Sequence, residues 1–327
     1  MAISVRLPMS PAAPGLLFCT AGTGVAWLAH RAFGPLALPT AAVLLGVLAA
    51  NLGLVPEAAR PGSALAARRL MRAGIVLLGL QVSVSDIAGL GPGTLAMVPV
   101  VVAATLLGTW WLGRRMGLNA HLALLVAAGF AVCGASAVAA VNGACGEEDQ
   151  RDTVTAIALV TLCGTLAIGV LPALRGPLGL SLPDFGRWTG ASVHDVGQVV
   201  AAASAAGPAA LAPAVAVKLI RVALLAPIAA GVSLTRRTGT GTRPPLVPLF
   251  VAGFLAMIAI RATGRVPQEV LVPAGQVQGL AFGAAMFGAG SAVRIGTLLR
   301  TGRRALVLGL CSWLLIAAVA YAGVKLT

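Results

Sequence analysis

Two basic side chains lie near the middle of an apolar stretch long enough to cross a lipid bilayer. The stretch runs from Ala209 to Leu234 and contains Lys218 and Arg221. A charge at the centre of a membrane helix costs about 2.5–3.5 kcal/mol on insertion scales, so it needs compensation. Because the two residues are three apart, they share one helix face. We expect them to contact an anion in a polar cavity, to pair with a buried carboxylate, or to reach an interface.

A second candidate site is the sequence Cys133-Gly134-Ala135-Ser136-Ala137 inside another apolar segment. Glycine and a small hydroxyl residue at this depth are compatible with a broken helix. The second half-helix would then offer free backbone N–H groups and a positive dipole end to an anion, with Ser136 as its cap. Gly134 and Ser136 are therefore candidate anion-binding residues. The same residues could instead form a close-packing face of an unbroken helix.

The triplet Gly190-Ala191-Ser192 repeats this pattern and leads into Val193-His194-Asp195. Ser192 and Asp195 have the spacing of a capping box, which predicts that a helix starts here. Gly190 and Ser192 are therefore candidate anion-binding residues. His194 and Asp195 are candidates for proton coupling, since an ionisable pair in a membrane cavity can relay protons. The alternative is that Asp195 only caps the helix and His194 is an interfacial residue.

Other polar residues in apolar segments are weaker candidates. Gln198 shares a helix face with His194, and Gln276 and Gln278 are two residues apart and so point in different directions. The remaining secondary candidates are Gln81 and Asp86. Ser136 and His194 could also imitate a membrane Ser–His dyad, which would make the protein an intramembrane hydrolase. That reading leaves Lys218 and Arg221 unexplained, so we expect no enzymatic activity.

The composition is that of a membrane protein with many spans. The chain has 327 residues, of which 58% are hydrophobic and 10% charged, with a mean hydropathy of +0.96. No long polar stretch separates a soluble domain, so residues 1–327 are predicted to form one transmembrane domain. The net charge of +14 comes from arginines in short loops, and aromatic residues are only 4%, so a nucleic-acid partner is excluded. The five cysteines form no CxxC pair, and we expect neither a metal site nor a cofactor.

Hydropathy predicts about eleven transmembrane helices. With the N-terminus cytoplasmic, the inner loops hold 16 basic residues and the outer loops 5, which orients the chain with its C-terminus periplasmic. In this scheme Arg151 lies outside, whereas Arg303 and Arg304 lie inside. Residues 57–72 are expected to form an amphipathic helix on the inner surface. The predicted spans are 14–30, 35–53, 73–89, 93–112, 119–141, 153–173, 188–206, 209–234, 245–262, 268–290 and 305–324.

Eleven spans also suggest one extra helix followed by two five-helix halves of opposite orientation, an inverted repeat with broken helices. In that arrangement the segment 119–141 corresponds to 268–290. The residues Gly134–Val138 do resemble Gly288–Val293, although such short Gly/Ala matches arise easily in this composition.

At these motifs the chain resembles the sulfate-exporter family of membrane proteins, also called the YeiH or UPF0324 family. The resemblance lies in Ala73–Leu80, Cys133–Ala137, Ser192–Asp195 with Gln198–Ala202, and Lys218 through Arg221 to Pro227. These motifs follow the family's order and span most of the chain. The family usually has Glu at the position of Asp195 and Ala at that of Gly197, so the reach of this carboxylate differs here.

The resemblance implies a multi-pass protein of the bacterial inner membrane, distantly related to the cation/proton antiporter and anion transporter superfamily. It also implies crossed broken helices and sulfate, or a related sulfur oxyanion, as substrate. No Walker motif is present, so transport would be driven by a gradient. We therefore predict a secondary active exporter of a small anion, whose partners are that anion and the bilayer, with a homodimer as a possible assembly. The alternative is a channel or a structural membrane protein.

Overall fold

The computed structural model describes residues 11–32, 37–82, 90–145, 150–236, 249–294, 296 and 302–327, which contain helices and no strand. A 3-10 turn (Glu57–Ala59) precedes α3, and a π turn (Ala66–Leu70) follows it. The α-helices are α1 Ala13–Ala32, α2 Leu38–Asn51, α3 Arg60–Leu65, α4 Met71–Leu78, α5 Gly91–Arg115, α6 Ala120–Ala131, α7 Ala135–Cys145, α8 Gln150–Leu174, α9 Leu182–Ser192, α10 Val196–Ser204, α11 Pro208–Ala223, α12 Leu225–Arg236, α13 Leu249–Ala262, α14 Gln268–Gly290 and α15 Arg303–Leu326.

Five helical stretches among the described residues are long and apolar enough to cross a bilayer. Each has 23–25 residues, and at about 1.5 Å per residue this exceeds the roughly 30 Å of a hydrocarbon core. They are Gly91–Arg115, Arg151–Leu174, Pro208–Val232, Gln268–Gly290 and Arg303–Leu326. The all-helical membrane class predicted from the sequence is confirmed.

The chain divides into two compact units. Unit 1 comprises Met1–Gly74 and Gln276–Arg294, and unit 2 comprises Ile75–Gly275 and Ile295–Thr327. In unit 1 glycines let backbones touch: a Cβ added to Gly15 would lie 2.1 Å from the Ala59 carbonyl oxygen. Residues 57–72 are helical and amphipathic, as predicted, with a buried face that includes Ala59 and Ala66, and with exposed arginines.

In unit 2 the predicted span 119–141 is a hairpin of two short helices, α6 and α7, here named hairpin 1. His121 at the start of α6 is hydrogen-bonded to Asn142 near the end of α7, with Nε2 and Oδ1 3.0 Å apart. Just before α6, Asn119 Nδ2 donates to Asp152 Oδ2 at the start of α8, at 2.9 Å. The chain therefore leaves hairpin 1 on the face from which it entered.

The predicted span 188–206 is a second hairpin, formed by α9 and α10 and named hairpin 2. Gly186 and Gly190 of α9 pack against Ala210 and Ala214 of α11, so that a Cβ on either glycine would lie 2.3 Å from the facing carbonyl oxygen. Residue numbers increase in the same direction along the two contacting faces, so α9 and α11 are parallel. Because α11 follows α10 after residues 205–207 only, α10 must return to the face where α9 begins.

The two hairpins enter unit 2 from opposite faces. Hairpin 1 begins beside the start of α8, and hairpin 2 begins after its end. Helix α15 is parallel to α8, because Arg303 and Arg304 line one cavity with Arg151, while Lys325 Nζ donates to the Gly179 carbonyl beyond the end of α8 at 3.1 Å. The prediction that Arg151 lies on the opposite face from Arg303 and Arg304 is therefore wrong. Hydropathy cannot distinguish a hairpin from a span. The uncounted hairpin 1 inverts the predicted sides of the segments that follow it, and the uncounted hairpin 2 restores them, so that Arg151 is misplaced and Arg303 and Arg304 are not.

Candidate functional site

The tips of the two hairpins meet around Lys218 in the middle of α11. Its ammonium donates to the Val132 carbonyl of hairpin 1 at 2.5 Å. It also donates to the carbonyls of Val193, at 3.0 Å, and His194 in hairpin 2. An ammonium has three donors, so these three bonds use its whole hydrogen-bonding capacity.

Arg221, one helical turn further along α11, joins the same two tips. In hairpin 1, Nε donates to the Ala131 carbonyl at 3.2 Å, and Nη2 donates to Phe130 and Ala131 at 2.9 and 2.8 Å. In hairpin 2, Nη1 donates to Gly190 and Val193 at 3.1 and 2.8 Å. The five N–H donors of the guanidinium are thus all engaged.

These contacts explain why two buried cations are tolerated here. Helices α6 and α9 both end inside the unit, where their last carbonyls have no intrahelical partner and carry the negative end of the helix dipole. Lys218 and Arg221 are fully buried and supply hydrogen bonds and positive charge to those ends. The structure shows that both cations are paired inside the protein, but their partners are backbone carbonyls and not the buried carboxylate that we expected from the sequence.

The break in hairpin 1 occurs at Gly134, as the sequence suggested. Gly134 has φ +72°, a left-handed conformation that favours glycine. Its carbonyl accepts from the N–H groups of Ala137 and Val138. Within the described part of the chain, the N–H groups of Ala135 and Ser136 have no backbone acceptor, and both residues are exposed. The start of α7 is therefore an open, positively polarised helix end.

Ser136 is the second residue of α7, so Gly134 occupies the cap position that we expected Ser136 to fill. Ser136 is therefore in the first turn of α7, and its side chain is exposed. In this position it adds a hydroxyl donor to the open helix end.

The break in hairpin 2 has a different end. Asp195 caps α10: its Oδ1 accepts from the Gly197 N–H at 2.8 Å, and its own N–H donates to Gln198 Oε1 at 3.2 Å. The capping box is thus Asp195 with Gln198. Ser192, expected to open this box, instead ends α9, where its buried hydroxyl donates to the Trp188 carbonyl at 2.7 Å. A serine inside a helix often bonds backward in this way.

The capping carboxylate also lies next to the open end of α7. A Cβ added to Gly134 would lie 3.8 Å from the Cβ of Asp195. The junction of the two hairpin tips, formed by Gly134, Asp195, Lys218 and Arg221, therefore combines one half-buried carboxylate with two fully buried cations. With Asp195 ionised, the local charge is still positive.

His194 is fully buried, and its ring lies against Phe130 with 4.3 Å between ring centroids. Neither ring nitrogen has a hydrogen-bond partner among the described residues. No hydrogen bond between His194 and Ser136 is found in that part of the chain. The structure therefore gives no support to the Ser–His dyad that the sequence allowed.

The secondary candidates are dispersed. Gln198 also donates from Nε2 to the Thr161 carbonyl of α8 at 3.4 Å, and Gln81 donates to the Leu271 carbonyl of α14 at 2.9 Å. In unit 1, Gln276 is exposed and Gln278 buried, which confirms that they point in different directions. Asp86 lies outside the described residues.

Sequence reasoning missed the backbone carbonyls of Phe130, Ala131 and Val132, since every residue has a carbonyl. One signal was available in hindsight. The apolar runs on either side of Gly134 form helices of only 12 and 11 residues, each about half of a span.

Comparison with known proteins gives a consistent family match. Residues 14–309 match the family model described as conserved hypothetical protein 698. A UPF0324 membrane protein of Corynebacterium glutamicum is 42% identical over 319 residues, which cover 96% of this chain and 92% of the relative. The UPF0324 membrane protein TauZ of Paracoccus pantotrophus is 36% identical over 293 residues, or 87% of each chain. A UPF0324 membrane protein of Bacillus cereus is 34% identical over 290 residues, covering 86% of this chain and 81% of the relative.

Proposed function

The chain belongs to the UPF0324 family of membrane proteins, and we propose that it is a secondary transporter that exports a small anion, sulfate or a related sulfur oxyanion. The observation that carries this proposal is the open start of α7 beside an excess of buried positive charge. Ala135 and Ser136 have backbone N–H groups without a backbone acceptor among the described residues, and Ser136 adds a hydroxyl. A tetrahedral oxyanion can accept hydrogen bonds from these two N–H groups and from the hydroxyl.

In this proposal Lys218 and Arg221 act on the anion through their charge. Their N–H donors are engaged by the hairpin carbonyls, so the direct donors belong to α7. Gly190 and Ser192 have an indirect role in this proposal. The Gly190 carbonyl accepts from Arg221, and the Ser192 hydroxyl bonds within α9, so that both stabilise the hairpin tip without contacting the anion. Because Lys218 and Arg221 are fully buried, their charges are screened less than they would be in bulk water, and they attract a nearby anion more strongly.

Asp195 is the proposed proton carrier. An anion at the start of α7 would lie near this carboxylate, and two negative charges about 6 Å apart repel by about 3 kcal/mol at an effective dielectric constant of 20. Binding of the anion therefore favours binding of a proton by Asp195, and the two move together. His194 is less suited, since protonation would place a third cation beside Lys218 and Arg221.

Uptake of radiolabelled sulfate into proteoliposomes with an imposed pH gradient tests this function. We expect saturable uptake that is faster when proton and anion gradients point the same way, and inhibition by other tetrahedral oxyanions. Ser136→Ala should raise KM, whereas Ser204→Ala, at the far end of hairpin 2, should behave as the unaltered protein. Uptake that is absent for every sulfur oxyanion would refute the proposed substrate class, and uptake without saturation would indicate a channel.

A further inference from the structure

Three backbone carbonyl groups converge at the junction of the two hairpin tips. They belong to Val132, which follows α6, and to Val193 and His194, which connect α9 to α10. All three residues are fully buried, and within the described part of the chain their carbonyls accept no hydrogen bond from a backbone N–H group. Their donors come from side chains: Lys218 contacts all three, and Arg221 also contacts Val193. Buried carbonyls are rarely left without a donor, so this cluster requires such a partner.

The composition of this cluster is that of a site for a monovalent cation. Backbone carbonyl oxygens can replace the hydration shell of K⁺, as they do in potassium-channel filters, and an ammonium ion is similar to K⁺ in charge and size. Helices α6 and α9 both end at these carbonyls, so the negative ends of two helix dipoles add to the attraction. The Lys218 ammonium lies where such an ion would lie, with Nζ 2.5 Å from the Val132 oxygen and 3.0 Å from the Val193 oxygen.

The charges around the cluster also favour a cation. Among the described residues, the ionisable side chains that act on the Lys218 ammonium are those of Arg221, Cys133 and Asp195. With Asp195 ionised, its carboxylate and the Arg221 guanidinium have opposite charges, and the guanidinium donors already contact hairpin carbonyls. Without the ammonium, the junction would therefore be close to neutral and would retain two buried carbonyls without a side-chain donor, one from each tip.

We propose that the three carbonyls form a binding site for a monovalent cation, and that the Lys218 ammonium is its covalently attached occupant. In the unaltered chain the two tips are therefore held together without a cation from solution. A chain with a short side chain at position 218 would bind an ammonium ion or K⁺ instead, which would enter past the exposed residues Ala135 and Ser136. The site does not depend on whether the protein exports an anion.

Thermal unfolding of purified Lys218→Ala in neutral detergent tests the site. This substitution removes the ammonium and the methylene groups that carry it, and leaves their space empty. Ammonium chloride and potassium chloride are compared with tetramethylammonium chloride at the same concentration, because tetramethylammonium has the same charge but no N–H donor and is too large for the space. We expect ammonium and K⁺ to raise the unfolding temperature by about 2–4 °C when present at about ten times their dissociation constants, and we expect no such difference for the unaltered protein.

Two further variants separate this site from other effects of the salts. Lys218→Met also removes the charge but fills the space, so it should be destabilised without recovering in any of the salts. Lys325→Ala loses one exposed contact, to the Gly179 carbonyl, and should respond to the salts as the unaltered protein does. Size-exclusion profiles establish that each variant is folded.

An unfolding temperature of Lys218→Ala that is the same in all three salts would overturn the proposal. An equal rise in Lys218→Met would also overturn it, because the cation would then bind elsewhere. Failure of Lys218→Ala to fold in any of the salts has the same meaning, since the site would be filled under those conditions. The measurement contains no sulfate, so its result is separate from that of the uptake assay for the proposed export.

Discussion

The two hairpin tips use the same three residue types in opposite ways. In hairpin 1 the triplet Gly134-Ala135-Ser136 follows the break and begins α7, whereas in hairpin 2 Gly190-Ala191-Ser192 precedes the break and ends α9. The start of α7 is exposed and has N–H groups without a backbone acceptor among the described residues, while the start of α10 is capped by the carboxylate of Asp195. The tip of hairpin 2 thus contains its own anionic group, the Asp195 carboxylate, whereas the tip of hairpin 1 leaves its helix start accessible to a ligand. The residue type at the cap position decides which.

The largest effect is expected at the residues that join the two tips. Lys218→Ala leaves two buried carbonyls without a side-chain donor and Arg221→Ala leaves three, because the Val193 carbonyl accepts from both cations and keeps one donor in either variant. Each change should destabilise the protein by about 3–5 kcal/mol, measured as a lower thermal unfolding temperature in detergent. Lys325→Ala, which removes one exposed contact to Gly179, is the control. If Lys218→Ala were as stable as Lys325→Ala, the tips would not depend on this bridge.

The next effect concerns the turn of hairpin 1. Gly134→Ala introduces a side chain at φ +72°, with its Cβ 3.2 Å from Val160 Cγ1, and should cost about 1–2 kcal/mol. Gly143→Ala, in the last turn of α7 where no atom of the described residues lies within 4 Å of the new Cβ, should stabilise the helix by about 0.5 kcal/mol. Thermal unfolding of both variants measures the contrast. Equal effects at the two positions would mean that the left-handed turn is not required.

Replacing the built-in anion of hairpin 2 separates capping from proton coupling. Asn is as good a cap as Asp, so Asp195→Asn should change the stability by less than about 1 kcal/mol while abolishing the pH dependence of anion uptake. Asp195→Glu keeps the charge and should keep that dependence. Uptake by Asp195→Asn that still follows pH would show that the proton binds elsewhere.

The two serines of the repeated triplet provide the finest comparison. Ser136→Ala should raise the KM for sulfate by about fivefold, because it removes one exposed donor of about 1 kcal/mol to the anion. Ser192→Ala should leave KM unchanged, since that hydroxyl is buried and bonded to Trp188. The measurement is the concentration dependence of initial uptake. A rise in KM for Ser192→Ala alone would reverse the roles of the two tips.

Several features of the site were readable from residue types. A break at Gly134 was one of two alternatives that glycine and small residues in an apolar run allowed, the other being an unbroken helix. A helix start near Asp195 followed from its capping pattern. The need for compensation at Lys218 and Arg221 followed from the cost of buried charge. Ser192 was misassigned as a cap because serine also bonds within a helix, and the two possibilities have the same sequence.

The sequence by itself determined that this chain is helical and embedded in a membrane, that a Gly-Ala-Ser triplet occurs in two apolar segments, and that two cations sit among apolar residues. These properties depend on the residue types themselves. The tertiary structure decided that each interrupted segment turns back, so that Arg151 shares a face with Arg303 and Arg304. It also decided that the partners of Lys218 are carbonyls 24–86 residues away along the chain. The reason is that hydrophobicity specifies burial without direction, and a carbonyl group is present in every residue.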